Sequence, residues 1–347
     1  MLLSVIIPSF NCTEKLSYII ESLNYILTCE KEIIIVDDGS SNTSKEILKS
    51  IENKNRQVKV IFNNHTGVSI ARNTGIGISK GDYITFIDDD DEIYPDAYSK
   101  MIQQVLLHPE LDIVSTSINV SEEHNMKIYN KQYEIENIIL SNLQINTEMF
   151  KADEYPSGPC AKFFKRRLLF DNKILFPTNV FNGEDLIFNC YALLHCKNVQ
   201  LLQGKVYKYF QNNNSLMHSY SPKMQENNVL FADAILKFLN FINDFDYNQK
   251  KLVSEYWKIR LSMTNILRQY SIKVNNKDVF LKDIRLVQRG ITNPSLMEFL
   301  SHNFSNDQII FIKMIGKCPI VTIIPITKFF KWLKYHKNNF RSAIVEL

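Results

Sequence analysis

The first ninety residues alternate short apolar runs with stretches whose apolar residues recur every three or four positions, and this alternation restricts the fold more than any other property of the chain. Leu3 to Ile7 reads as a buried strand stopping at Pro8, and Leu16, Ile19, Ile20, Leu23, Ile26 and Leu27 then share one helical face. Glu32 to Val36 is a second strand, followed by a helix capped by Thr43 or Ser44 with Ile47, Leu48 and Ile51 turned inward. Val58 to Phe62 is a third strand, the loop Asn63 to Gly67 leads into a helix through Ala71 and Arg72, and Tyr83 to Ile87 is a fourth strand. Repeated units of this length predict an α/β fold, Rossmann-like, whose mainly parallel sheet is sandwiched by helices.

Further on, Pro95 suits the first turn of a helix through Met101 and Val105. A strand over Ile113 to Ile118, helices near 134–143 and from Asp185 to Leu194, and a strand pair or strand plus turn over Val199 to Phe210 follow. Phe163 to Phe170 fits either a helix or a strand. From about Lys223 the pattern turns helical with few glycines, as in Leu230 to Phe241 and Leu252 to Leu267. The expected division is therefore an α/β domain over 1–220 and a helical C-terminal region over 221–347.

In a parallel sheet the C-terminal strand ends share one rim, where open α/β folds place their ligand crevices. Three such ends carry polar groups: Pro8-Ser9-Phe10-Asn11, Asp37-Asp38-Gly39-Ser40 and Asp88-Asp89-Asp90-Asp91. Four aspartates alone read as a solvated acidic turn. Carboxylates crowded at a strand end repel one another unless a cation sits among them, and hard oxygen ligands suit Mg²⁺ or Mn²⁺. Phe10 offers a flat surface for a base, Asp37 an acceptor for a base N–H or a ribose hydroxyl, and Arg72 a partner for phosphate oxygens. Each residue also has an ordinary reading: Phe10 as core, Arg72 in a surface ion pair, Asp38-Gly39 as a turn. Their coincidence favours a nucleotide diphosphate bridged by the metal. A dinucleotide-binding dehydrogenase needs G-x-G-x-x-G straight after the first strand, and no glycine stands there; the P-loop signature is also missing.

Four blocks stand in an order and spacing that resembles the family-2 glycosyltransferases with the GT-A fold, over residues 3–215. They are Ser4-Val5-Ile6-Ile7-Pro8-Ser9-Phe10-Asn11, Ile35-Val36-Asp37-Asp38-Gly39-Ser40, Thr66-Gly67-Val68-Ser69-Ile70-Ala71-Arg72-Asn73-Thr74-Gly75 and Lys80-Gly81-Asp82-Tyr83-Ile84-Thr85-Phe86-Ile87-Asp88-Asp89-Asp90-Asp91. The resemblance implies a D-x-D metal motif at Asp88 and Asp90, with Asp89 where a small residue is common, and puts Phe10 where the family often has Tyr stacked on uracil. Pro8, Phe10, Asp37, Arg72, Asp88 and Asp89 are then expected to bind the nucleotide sugar, and Asp90, Asp88 and His218 the Mn²⁺ or Mg²⁺. Gly183-Glu184-Asp185-Leu186-Ile187-Phe188-Asn189 resembles the family's G-E-D segment, which makes Asp185 the general base and leaves Glu184 to orient the acceptor or the base. Lys162 falls in a segment beneath the acceptor site, and Ser215 and His218 on a loop closing over the diphosphate or metal. The implied reaction is inverting transfer of a single sugar from a nucleotide-diphosphate sugar, with UDP expected, to a glycan or lipid-linked acceptor. It needs a carboxylate opposite the departing diphosphate and a cation upon it.

Processive members carry Q-x-x-R-W and several membrane spans. Trp257 and Trp332 lack that context, and no run of about 18 uncharged apolar residues occurs, so single addition is expected. Six cysteines without a C-x-x-C pair, together with an N-terminus unlike a signal peptide, point to a reducing cytoplasm. Ile326, Phe329, Phe330 and Leu333 share a helical face flanked by Lys328, Lys331 and Lys334, which fits a helix lying over 320–341 on the inner face of the plasma membrane. Packing of that helix on the catalytic domain or on a second subunit, in a homo-oligomer, fits equally. A net charge of +3 gives no footing for nucleic acid. The richness in Asn, Lys and Ile suggests a bacterium with an AT-rich genome, and surface polysaccharide as the product. Two rivals remain. A sugar-nucleotide pyrophosphorylase lacks its glycine-rich triphosphate loop here, and a catalytically degenerate sugar-nucleotide-binding scaffold is opposed by the intact Asp88, Asp90 and Glu184-Asp185.

Overall fold

β1 (Leu2–Ser9) is buried from Leu3 to Ser9, because helices cover both faces of the sheet it lies in. In β2 (Glu30–Asp38), Ile33 and Ile35 join one apolar cluster while Ile34 and Val36 pack with Ala71 in another. That alternation is the two-residue repeat of a strand serving two layers. The computed structural model describes residues 1–12, 15–26, 29–152, 154–208, 223–242, 246–269 and 277–317. Two compact units divide the chain, Met1–Gln211 and Asn212–Leu347.

In the first unit, α1 (Lys15–Asn24), α2 (Asn42–Lys54) and α3 (Val68–Ile78) link β1, β2, β3 (Val58–Asn63) and β4 (Tyr83–Phe86). Then come β5 (Glu92–Ile93), α4 (Pro95–Leu107), β6 (Ile113–Ser117), β7 (Ile128–Tyr129), α5 (Gln132–Asn142), β8 (Lys162–Lys165), α6 (Arg166–Asp171), α7 (Glu184–His195), β9 (Val199–Gln203) and β10 (Tyr207–Lys208). The main sheet has eight strands in the order β3-β2-β1-β4-β8-β6-β9-β7. The run β3-β2-β1-β4 and the pair β6-β9 are parallel, while β8 is antiparallel to both its neighbours and β7 to β9. β10 pairs with β5 away from that sheet. The α/β class and the mainly parallel sheet are as expected.

Three local readings change. β1 runs on through Pro8: Ile6 accepts the Ile87 N–H on the β4 side, so Pro8, two residues on, turns its missing donor to the same side, beyond the end of β4. α2 is capped by Ser41, whose Oγ accepts from the Ser44 N–H, and not by Thr43 or Ser44. The ambiguous 163–170 stretch holds both elements, β8 wedged between β4 and β6 and then α6.

The second unit is helical: α8 (Met224–Leu239), α9 (Tyr247–Gln269), α10 (Lys277–Gly290), α11 (Pro294–Asn303) and α12 (Asn306–Lys317). Phe231, Ile235 and Phe238 of α8, Tyr256, Ile259 and Ile266 of α9, and Ile284 and Val287 of α10 are buried in it. Among the described residues no helix is long and apolar enough to cross a membrane. Ser215, His218 and the 320–341 segment lie outside the described residues.

Candidate active site

The neighbouring strands β2, β1 and β4 deliver their C-terminal ends to one rim. Ser9 Oγ donates to Asp89 Oδ2 at 2.6 Å and ties the β1 end to the aspartate run. Burial pushes the Asp89 carboxyl up to about 6, against the lowering effect of that bond. Asp37 is fully buried; its Oδ2 accepts from the Ser40 N–H at 3.2 Å while Oδ1 has no partner. A buried carboxylate oxygen left this way is costly unless something donates to it. Asp38, read from sequence as part of a plain turn, accepts from the N–H groups of Thr66 and Gly67 and so fixes the loop opening α3. Phe10 is half exposed, with its ring beside that of His65. Pro8 is buried within β1, one residue before Ser9.

Arg72, on α3, is almost wholly buried, and both its terminal nitrogens bond carboxylates. Nη2 donates to Asp88 Oδ1 at 2.9 Å, and Nη1 to Asp185 Oδ1 at 2.6 Å and Glu184 Oε1 at 3.4 Å. Its guanidinium lies over the Phe176 ring, 5.2 Å from the centroid. Arg72, expected from sequence to meet phosphate, joins the end of β4 to the start of α7. Those carboxylates keep the buried guanidinium charged. Gly183 just before α7 has φ of 99°, a left-handed turn that favours glycine and that presents Glu184 and Asp185 on the first turn of the helix. Burial and the adjacent Asp185 charge raise Glu184, and burial raises Asp185 too, with Arg72 pulling both down.

Asp88, Asp91 and Cys160 bring a ligand atom each within 4.8 Å of one another. Asp91 is buried, its Oδ1 is unpartnered, and burial with the charges of Asp88 and Asp90 pushes its carboxyl up to about 8. A divalent cation fits the two carboxylates of this set, since it relieves their repulsion and supplies the missing partner, while burial raises the Cys160 thiol and keeps it a neutral neighbour. Asp91 and Cys160 carried no role in the sequence reading. Burial and Asp88 raise Asp90 as well, with Lys15 opposing, and the Lys15 Nζ lies 3.5 Å from the Asp90 carbonyl oxygen. Lys162 is fully buried; its Nζ donates to the carbonyls of Pro156 and Gly158, both at 2.6 Å, and lies over the Tyr155 ring. It braces the loop that carries Cys160. Asn73, beside Arg72, was also missed: its side chain pairs twice with the Phe176 backbone and holds that ring beneath the guanidinium.

Residues 4–169 match the profile described as glycosyl transferase family 2. A relative from Bacillus subtilis, the uncharacterized glycosyltransferase EpsJ, is 29% identical over 242 residues, 69% of this chain and 70% of that protein. A poly(ribitol-phosphate) beta-glucosyltransferase of Bacillus spizizenii is 30% identical over 224 residues, 60% of this chain but 32% of that enzyme. Among solved structures, S. aureus TarS 1–349 in complex with UDP-GlcNAc has a TM-score of 0.61 at 18% identity, covering 97% of this chain and 92% of that one.

Proposed function

The chain belongs to glycosyl transferase family 2 and is a glycosyltransferase of the GT-A fold, and on that premise we propose that it moves a single sugar, with inversion, from a UDP-sugar to a glycan or lipid-linked acceptor of a bacterial surface polysaccharide. One observation carries the reading: Arg72 ties Asp88, on the nucleotide rim, to Asp185, so one buried cation fixes the spacing between donor side and base side. UDP as the carrier is supported by the UDP-GlcNAc held by the structurally similar TarS, and a phosphate-rich acceptor polymer by the poly(ribitol-phosphate) relative.

The unpartnered Asp37 Oδ1 accepts an N–H of the base, and Phe10 lies under the ring. Asp185 takes the proton of the acceptor hydroxyl as that oxygen bonds to the anomeric carbon and the bond to the diphosphate breaks. Glu184, higher in proton affinity through burial, keeps Asp185 and Arg72 in register. Asp88 and Asp91, with Asp90 between them in the chain, would hold a Mn²⁺ or Mg²⁺, which when bound would neutralise charge developing on the leaving diphosphate. We place the chain on the inner face of the membrane, where a lipid-linked acceptor would meet it.

The test is turnover of UDP-GlcNAc and other UDP-sugars with and without Mn²⁺. The wild type is expected to release UDP in a metal-dependent way. Asp185→Asn is expected to keep its thermal unfolding midpoint and lose transfer by about 10²–10⁴-fold, the usual contribution of a positioned base. Near-normal transfer by Asp185→Asn removes the base assignment.

A further inference from the structure

His65, in the loop between β3 and α3, lies with its ring centroid 4.7 Å from that of Phe10, the planes tilted by 35°. Both rings keep large open surfaces, the Phe10 residue being 51% exposed and the His65 side chain 68%. Ring faces left open in this way are available for a third flat group to stack on.

Several independent constraints hold the pair in place. The His65 Nδ1 stands 3.0 Å from the Asp38 carbonyl oxygen and 3.4 Å from Asp38 Oδ2. Both of those atoms accept, so Nδ1 carries the proton and donates to them. Asp38 also takes the N–H groups of the next two residues, Thr66 and Gly67. On the facing turn Gly39 has φ of 83°, and a Cβ there would stand 2.6 Å from the His65 backbone nitrogen, so only glycine lets the loop approach so closely. On the β1 side, Asn11 has φ of 54°, its N–H donates to Ser40 Oγ and its Oδ1 accepts from the Ser41 N–H. The ends of β1 and β2 and the loop after β3 are thereby locked together around two open rings. One residue away from the Asp38 clamp, Asp37 keeps a buried acceptor with no donor.

We infer that His65 is a nucleobase-contacting residue that, with Phe10, forms the stacking wall for the donor's base and sets the preference for a small pyrimidine bearing an N–H. The inference rests on the donor reading above. Phe10 alone gives a base one flat surface. The clamped imidazole overlaps the Phe10 ring and extends the stack by a second ring, and the Asp37 oxygen rewards a ring that offers a donor, as the N3–H of uracil does. The loop carrying His65 is built to hold a ring at a fixed place, whereas a surface histidine without such a role needs neither the Asp38 clamp nor the Gly39 approach.

Two substitutions separate the ring from the clamp. His65→Asn keeps a donor toward Asp38 and loses the ring, and His65→Phe keeps the ring and loses the donor. UDP and ADP affinities are measured by calorimetry with Mn²⁺ present, with unfolding midpoints recorded without nucleotide. Base–aromatic stacking predicts about a tenfold loss of UDP affinity in His65→Asn and within about twofold of wild type in His65→Phe. The preference of the wild type for UDP over ADP is expected to narrow in the Asn variant. If His65→Asn binds UDP as wild type does, or His65→Phe loses as much as His65→Asn, the wall is wrong while the donor reading stands. A wild type that binds UDP no better than it binds inorganic pyrophosphate overturns the donor reading and this inference with it.

Discussion

At the scale of single residues, Arg72 is the group on which the site turns. Removing it leaves Asp88, Glu184 and Asp185 crowded around a buried gap with nothing to neutralise them, and breaking a buried charge cluster costs about 3–5 kcal/mol. The effect on chemistry has a definite sign. Arg72 lowers the proton affinity of both Glu184 and Asp185, so its loss raises both, and the base then ionises only at higher pH. For Arg72→Gln the acidic limb of the transfer–pH profile is expected to move upward, whereas Arg72→Lys should hold the limb and lose rate through the missing fork. An unmoved limb in Arg72→Gln would show that the guanidinium does not govern the base. The residues of the rim and of the α7 start were readable from sequence because each sits in a contiguous block next to a strand or helix end. Asp91, Cys160 and His65 were not, since their meaning lies in contacts between segments far apart in the chain, which no local spacing encodes. Arg72 shows the other side of this: the sequence placed it correctly near the rim, but the carboxylates that occupy its nitrogens arrive from 16 and over a hundred residues away.

At the scale of elements, the parallel half of the sheet was legible because each strand is a short apolar run followed by an amphipathic helix. The antiparallel β8 was not, because Phe163 to Phe170 packs a strand and a helix into eight residues, too few for either period to declare itself. That strand begins with Lys162, whose buried ammonium holds the Pro156 to Gly158 turn. Burial lowers its pKa from 10.5 to about 7. The unfolded chain therefore binds more protons than the folded one between pH 7 and 10.5, so this lysine's contribution to stability rises with pH across that window. At about 1.36 kcal/mol per unit the rise amounts to about 4 kcal/mol. Thermal unfolding of the wild type is expected to shift upward from pH 7 to 9.5 relative to Lys162→Met, which lacks the titration. Parallel pH profiles for the two proteins would mean that the lysine is not desolvated by the fold.

At the scale of the whole molecule the charge is unevenly spread. Residues 212–347 carry 19 lysines and arginines against 10 aspartates and glutamates, although the chain's net charge is +3. On α10 the side chains of Lys282, Arg285 and Arg289 are exposed at positions i, i+3 and i+7, while Ile284 and Val287 of the same helix are buried. None of the three has an ion-pair partner among the described residues, so their charge faces outward along one stripe. A bilayer rich in anionic lipid attracts each such side chain by about 1 kcal/mol, and the attraction decays over a Debye length of about 8 Å at physiological salt. The full chain is therefore expected to sediment with vesicles containing phosphatidylglycerol, to leave them as salt is raised, and to ignore vesicles of phosphatidylcholine alone. Replacing Lys282, Arg285 and Arg289 together by glutamine should weaken that binding by about a hundredfold, because three increments of about 1 kcal/mol multiply. The replaced side chains are exposed, so UDP-sugar turnover with a water-soluble acceptor should be unchanged, and only transfer to an acceptor embedded in the vesicle should fall. Binding that survives the triple substitution would move the contact to the basic segment over 320–341, whose removal then becomes the deciding variant; binding that is equally strong on neutral vesicles would rule out an electrostatic attachment altogether.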